Sequence, residues 1–327
     1  MNTVPFRPWR EIVEAVALAT TVANEYPDLV ATETAAALAA QLGVPDEHVL
    51  IGPGSAAVCQ LALFGWCAPG DEVVHQWPSF EGYPLMIGHA NAHPVPVALR
   101  GTDTDLDDIA AAVTDRTRMV LLCNPNNPTG ALLTRDELRR LLDRLPEHVT
   151  VLIDEVYRDF VLAPTYRDAV GLVGDDPRVA VLRSFSKSYG LAGLRIGYLI
   201  AQPALLDRLG TLRLFFAASA QAQAAALTAL GHVTEMRRRC AEIGAERARL
   251  REMLWRQGWP VPVSHANFLW VPTPQAVELA DHCAAHGIAV RAWSGRGVRV
   301  TVGTEAANDA FAGLADDFRG SLRPSAS

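Results

Sequence analysis

The chain carries a single lysine. It stands in SFSKSYGLAGLRIGY as Lys187; lysine and arginine together number 29, so the other 28 cations are arginines. A composition rich in Ala, Arg, Val and Leu explains why arginine replaces lysine wherever either will serve. It does not explain the one position that stays lysine. Arginine remains protonated at any ordinary pH, whereas a buried lysine can lose its proton and act as a base or a Schiff-base amine. Lys187 is the first candidate for covalent or proton-transfer chemistry.

The other candidates follow the ends of short apolar runs. Gly-Pro-Gly-Ser (52–55) follows VLIG and opens a helix, a start where free N–H groups and the helix dipole favour an anion. Trp-Pro-Ser-Phe after EVVH brings Phe80, and the NPNNPTG run after MVLLC brings Asn127. VTVLI ends in Asp154 with Tyr157 three residues on, and VAVLR ends in Ser184 with Lys187 three residues on. Each has a plain structural reading. Glycines make turns, Asn-Pro pairs punctuate loops, a strand-terminal Asp154 or Glu155 caps a helix, and Phe80 fills a core. Arg195, at the start of RIGYLI, reads as a strand-start cation in a surface ion pair. One ligand, however, accounts for all of them together.

The elements that must position these residues are short strands alternating with helices. VLIG, EVVH, HPVPVAL (93–99), MVLLC, VTVLID, VAVLRS and RIGYLI (195–200) read as strands too apolar for a one-sided sheet. Helical segments between most of them, notably 32–42, 55–67 and 134–145, argue for a mostly parallel sheet of α/β type. In such sheets ligands bind outside the carboxyl ends of the strands, which is the edge where the candidates fall. From about residue 217 two helices and the runs NFLWV, IAVRA and VRVTVG read as a smaller α+β unit. The expected organisation is an N-terminal arm (1–23), a large ligand-binding domain (24–230) and a small C-terminal domain (231–327), with the tail SLRPSAS loose.

Composition narrows the class. Half of the 327 residues are apolar and a fifth charged, as in a globular enzyme with a substantial core. A net charge of −7 gives no electrostatic case for nucleic acid or an anionic membrane. Five widely spaced cysteines without a CxxC argue against a disulfide framework or a metal site and for a reducing compartment. Glu11 and Glu14 interrupt the N-terminal apolar run, so no signal peptide is read there. The Ala-rich stretch 214–230 is too short and mixed to span a bilayer. A cytoplasmic location is expected.

SFSKSYGLAGLRIGY, CNPNNPTG and IDEVY, in this order and spacing, resemble the fold-type-I pyridoxal-phosphate-dependent aminotransferases of class I/II, with greatest similarity to the histidinol-phosphate aminotransferase group. The resemblance runs from about Tyr26 to Gly303. It implies a three-layer large domain with a mostly parallel sheet and pyridoxal 5'-phosphate as cofactor, held covalently by Lys187. It implies that Asp154 faces the pyridine nitrogen, that Asn127 and Tyr157 meet the phenolic oxygen, and that Phe80 stacks on the ring. Gly54, Ser55, Ala56, Ser184 and Arg195 would cup the phosphate. Arg299 would grip the substrate α-carboxylate and Arg291 a side-chain phosphate. Tyr26 would reach a partner's cofactor phosphate across a homodimer.

There are departures from that group. Its usual N-terminal segment, resembling LNENPxG and closing the substrate site, has no counterpart in MNTVPFRPWREIVEAV. Ala56 and Ala57 stand where acidic residues are common, and Phe80 where Tyr is common. Trp293, near Arg291, favours an apolar or aromatic substrate side chain. The expected activity is therefore transfer of an amino group between an L-amino acid and a 2-oxo acid. Decarboxylation or oxidation of an amino acid on the same scaffold is the alternative. A cofactor-binding transcription regulator is disfavoured, because only about 25 residues precede the resemblance.

Overall fold

The computed structural model describes residues 2–321; residues 322–327, most of the tail expected to be loose, lie outside them. Along the chain run α1 (Arg10–Thr20), α2 (Thr32–Leu42), β1 (Val49–Gly52), α3 (Ser55–Trp66), β2 (Glu72–Trp77), α4 (Gly82–His89) and β3 (His93–Ala98). Then come α5 (Leu106–Ala111), β4 (Thr117–Cys123), α6 (Arg135–Leu142), β5 (Thr150–Asp154), α7 (Val170–Asp175), β6 (Val179–Ser184), β7 (Gly197–Ala201), α8 (Pro203–Asp207) and α9 (Ala220–Leu230). The remainder is α10 (Val233–Arg256), β8 (Phe268–Pro272), α11 (Ala276–Ala285), β9 (Arg291–Trp293), β10 (Gly297–Thr301) and α12 (Glu305–Ser321).

Seven strands form one sheet in the order β1-β7-β6-β5-β4-β2-β3. Contacts among β2 to β6 are parallel, while β7 runs antiparallel to both β6 and β1. Side chains alternate between two cores, as strand geometry requires. Val120, Leu122, Val151, Ile153 and Val181 join the core under α1, α2 and α9. Met119, Leu121, Leu152, Ala180 and Leu182 join the core under α3 and α4. That two-sided burial is the physical reason these strands read as unbroken apolar runs. β3 departs from the expectation of covered faces: it is the sheet edge and half-exposed. Its Pro94 and Pro96 lack an N–H and are tolerated there because an edge strand has one side without a partner.

β7 also differs from the expected span. The chain must reverse after β6 to run antiparallel, and it does so through a 3-10 turn (Ala192–Leu194) and Arg195 at φ 54°. Arg195 therefore stands two residues ahead of the strand rather than on it. The second sheet, β8-β10-β9, is antiparallel and packs with α10, α11 and α12 around Leu254, Leu279 and Phe311. α1 lies along α9, and α6 is capped by a reciprocal Thr134–Glu137 box. No helix among the described residues is long and apolar enough to cross a membrane.

Candidate active site

At the carboxyl ends of β4, β5 and β6, a cavity of about 620 Å3 opens between the two sheets. Its walls include Ser55, Ala56, Phe80, Asn127, Asp154, Tyr157, Lys187, Arg195, Arg291 and Arg299. Ten of the thirteen residues singled out from sequence thus converge. The other three do not line it. Gly54 lies immediately behind Arg195. Ser184 turns inward, accepting from Ser186 N at 3.0 Å, while Ser186 lines the cavity in its place. Tyr26 stands 84% exposed on another face, against Phe216.

The loop after β4 shows how local folding selects one asparagine of three. Asn124 ties the loop to itself, donating to Leu133 O and accepting from Leu133 N at 2.9 and 2.8 Å. Asn126 donates to Pro78 O and accepts from the Ser79 hydroxyl. Only Asn127 is left for the cavity, where its Oδ1 accepts from Arg299 Nη1 at 2.7 Å. Alternation does the same after β5. Asp154 faces the cavity, whereas Glu155 turns away into a buried pair with Arg183 at 2.7 Å.

Asp154 is nearly enclosed. Its Oδ2 accepts from the Tyr83 hydroxyl at 2.7 Å and its Oδ1 from Val156 N at 3.2 Å. Burial pushes its carboxyl up to about 6, and the Tyr83 and Val156 donors oppose that rise. Burial pulls Lys187 down to about 8, with the positive charge of Arg299 acting in the same direction and Asp154 against it. The lysine Nζ donates to Asn2 O at 2.9 Å and lies 5.6 Å from the Tyr157 ring centre. Burial raises the Tyr157 phenol, whose oxygen accepts from Asn2 Nδ2 at 3.1 Å.

The expectation that the N-terminal closing segment is missing is corrected here. Asn2 is buried in the site and bonds Tyr157, Asn267, Thr301 and Lys187 at once. The one trace in the sequence is the Asn2-x-x-Pro5 spacing, which matches the first Asn and the Pro of LNENPxG. Tyr83 was also missed; its signal is position, three residues after Phe80 on the first turn of α4. Trp293 does not face the cavity. It is buried edge-on against Trp270 and behind Arg299, so it supports the arginine and not a substrate side chain.

At the start of α3 the backbone is tightly packed. Gly54 has φ 91°, and a Cβ there would enter the Arg195 guanidinium. Arg195 donates one bond, to Ala192 O, and forms no ion pair among the described residues. Arg299 is held by Asn127 and by the Phe268 and Trp293 rings, yet its buried Nε has no partner. Arg291, by contrast, is committed. Its Nε and Nη2 donate to both oxygens of Glu81 at 3.0 and 2.9 Å.

A buried acid, a lysine with a depressed pKa, a helix start beside an arginine without an ion pair among the described residues and an arginine donor without a partner together mark a candidate site for an anionic ligand next to a deprotonatable amine. The family profile of the class I and II aminotransferases matches residues 1–313. The chain belongs to this family, and its cofactor is pyridoxal phosphate. Over 97% of its length it is 47% identical to an aromatic amino acid aminotransferase of Thermobifida fusca, covering 89% of that chain. It is 42% identical to one of Streptomyces coelicolor over 98% of its length and 90% of the other's. The structure is similar to histidinol-phosphate aminotransferase from Sinorhizobium meliloti in complex with pyridoxal-5'-phosphate (TM-score 0.91, 25% identity, 98% and 90% of the two chains). L-threonine-O-3-phosphate decarboxylase from Porphyromonas gingivalis shares the fold at TM-score 0.83 and 22% identity, over 98% and 100% of the two chains.

The residues present fit the cofactor. Gly54 makes room for the Arg195 guanidinium against the start of α3, Asp154 offers a buried carboxylate, and Lys187 offers an amine that burial makes easy to deprotonate.

Proposed function

We propose that the enzyme transfers the amino group of an aromatic L-amino acid to a 2-oxo acid. The observation that carries the substrate reading is the Glu81–Arg291 pair. It commits Arg291, the cation expected to take a side-chain phosphate, to a carboxylate, while Arg299 keeps a partnerless Nε for an α-carboxylate. Histidinol phosphate has the phosphate and lacks the carboxylate. The names of the Thermobifida and Streptomyces relatives support the same choice.

When bound, pyridoxal phosphate supplies an electron-withdrawing ring that weakens the bonds at the substrate Cα. In this reading Asp154 holds the proton on the ring nitrogen. Asn127 and Tyr157 would hold the phenolic oxygen, and Phe80 would pack on the ring. The α3 N–H groups of Ser55 and Ala56, with Arg195, would hold the phosphate. Arg299 would orient the substrate by a forked contact to its carboxylate, and Lys187 would carry the proton from the substrate Cα to the cofactor carbon. Arginine at 187 could not carry it.

The active unit is proposed to be a homodimer with Tyr26 reaching the partner's site. Support comes from the exposure of Tyr26 and from an apolar surface, including Leu29, Phe64 and Leu214, around a separate 290 Å3 cavity. The reading of a cytoplasmic enzyme rests on five cysteines that are all free.

A panel of amino donors with 2-oxoglutarate tests the proposal. Phenylalanine, tyrosine and tryptophan should exceed histidinol phosphate in kcat/KM by about a hundredfold, the scale on which a site unable to pair a polar group discriminates. A preference for histidinol phosphate, release of carbon dioxide, or uptake of oxygen in step with turnover would overturn it.

A further inference from the structure

Tyr83 is the largest polar side chain at the site to which neither the sequence nor the mechanism gives a part. It is wholly buried on the first turn of α4, three residues after Phe80. Its hydroxyl donates to Asp154 Oδ2 at 2.7 Å, and its ring meets Phe80 edge-on with centres 5.4 Å apart. One residue therefore touches both the group that faces the ring nitrogen and the group that covers the ring. The other Asp154 oxygen is held by Val156 N, so the carboxylate has one side-chain donor and one backbone donor.

We propose that Tyr83 is a positioning residue for the cofactor: it aims Asp154 and keeps it an acceptor, and it braces Phe80 with the same ring. This rests on the role proposed above for Asp154. The tyrosine suits the task because burial and the adjacent carboxylate push its phenol well above its ordinary value, so it stays a donor. The other titratable groups around the pair leave it in charge. Cys59 of α3 and Cys123 of β4 are held neutral by burial, as is His75 of β2, whose ring lies 6.4 Å from that of Tyr83. Glu155 is turned away to Arg183, which leaves Lys187 as the cation facing Asp154.

Tyr83→Phe deletes the donor and keeps the ring that braces Phe80. A hydrogen bond to a charged group is worth enough that the dissociation constant of pyridoxal phosphate, titrated into apoprotein by fluorescence, should rise roughly tenfold. In the holoenzyme kcat should fall with KM little changed. The acid limb of the kcat–pH profile should move to higher pH: the lost bond favoured the ionised carboxylate, so protonation sets in sooner as pH falls. Tyr83→Leu, which also removes the brace, should weaken cofactor binding further. In an Asp154→Asn background, Tyr83→Phe should add almost nothing to the loss of cofactor affinity, because the carboxylate it aims is gone. Unchanged cofactor affinity and acid limb in Tyr83→Phe, with Asp154→Asn strongly impaired, overturns the inference while leaving the site reading intact. An additive loss in the double variant also overturns it. If Asp154→Asn itself binds cofactor and turns over normally, the assignment of the site fails instead.

Discussion

Lys187 shows what a single residue type means in its surroundings. An exposed lysine is almost wholly charged at neutral pH, but burial together with Arg299 brings this one down to about 8. The neutral amine is the reactive form, and its fraction grows as pH rises through the pKa. Capture of pyridoxal phosphate by apoprotein, followed by absorbance, should therefore accelerate with pH around a midpoint near 8. A midpoint near that of an ordinary lysine, about 10, would contradict the burial seen here. Asn127 makes the complementary point. Its type is shared with Asn124 and Asn126, and it is singled out only because those two spend their polar atoms on the loop.

Among the elements, the junction of β1, α3 and β7 is closed by backbone. Gly197 opens β7 directly beneath the start of α3. A Cβ there would lie 2.5 Å from Ser55 N, 2.9 Å from Gly54 C and 3.0 Å from Arg183 O. These are backbone atoms and cannot step aside as a flexible side chain would. Gly197→Ala should cost about 2 kcal/mol in thermal or denaturant unfolding, the usual scale for overpacking a tight site. Because the strain falls on the proposed phosphate cup, it should weaken pyridoxal phosphate more than pyridoxal, which has no phosphate. Equal losses for both ligands would place the strain elsewhere. The strands and helices that build this junction were legible in the sequence, since two-sided burial leaves apolar runs and a Gly-Ser opening marks a helix. The antiparallel run of β7 was not, because a strand's direction leaves no mark in its composition. The left-handed Arg195 that precedes it was hidden for the same reason.

At the scale of the whole molecule, Leu29, Phe64, Leu214 and Phe215 stand exposed, as does Tyr26. If a second copy covers them, sedimentation of the active enzyme should give twice the chain mass. Phe215→Glu should then shift it toward the monomer and lower its activity, since a buried unpaired charge opposes association. A fully active monomer would remove Tyr26 from the site. By itself the sequence determined the family and the α/β architecture and singled out the candidate lysine, because chemistry that only one residue type can perform leaves a residue type behind. Only the tertiary structure decided which polar atoms remain free once the chain has satisfied its own. It brought Asn2 across to Tyr157 and Lys187, set Tyr83 on Asp154, turned Ser184 inward and closed Arg291 against Glu81. Each is a pairing between groups whose spacing along the chain bears no relation to their distance in space.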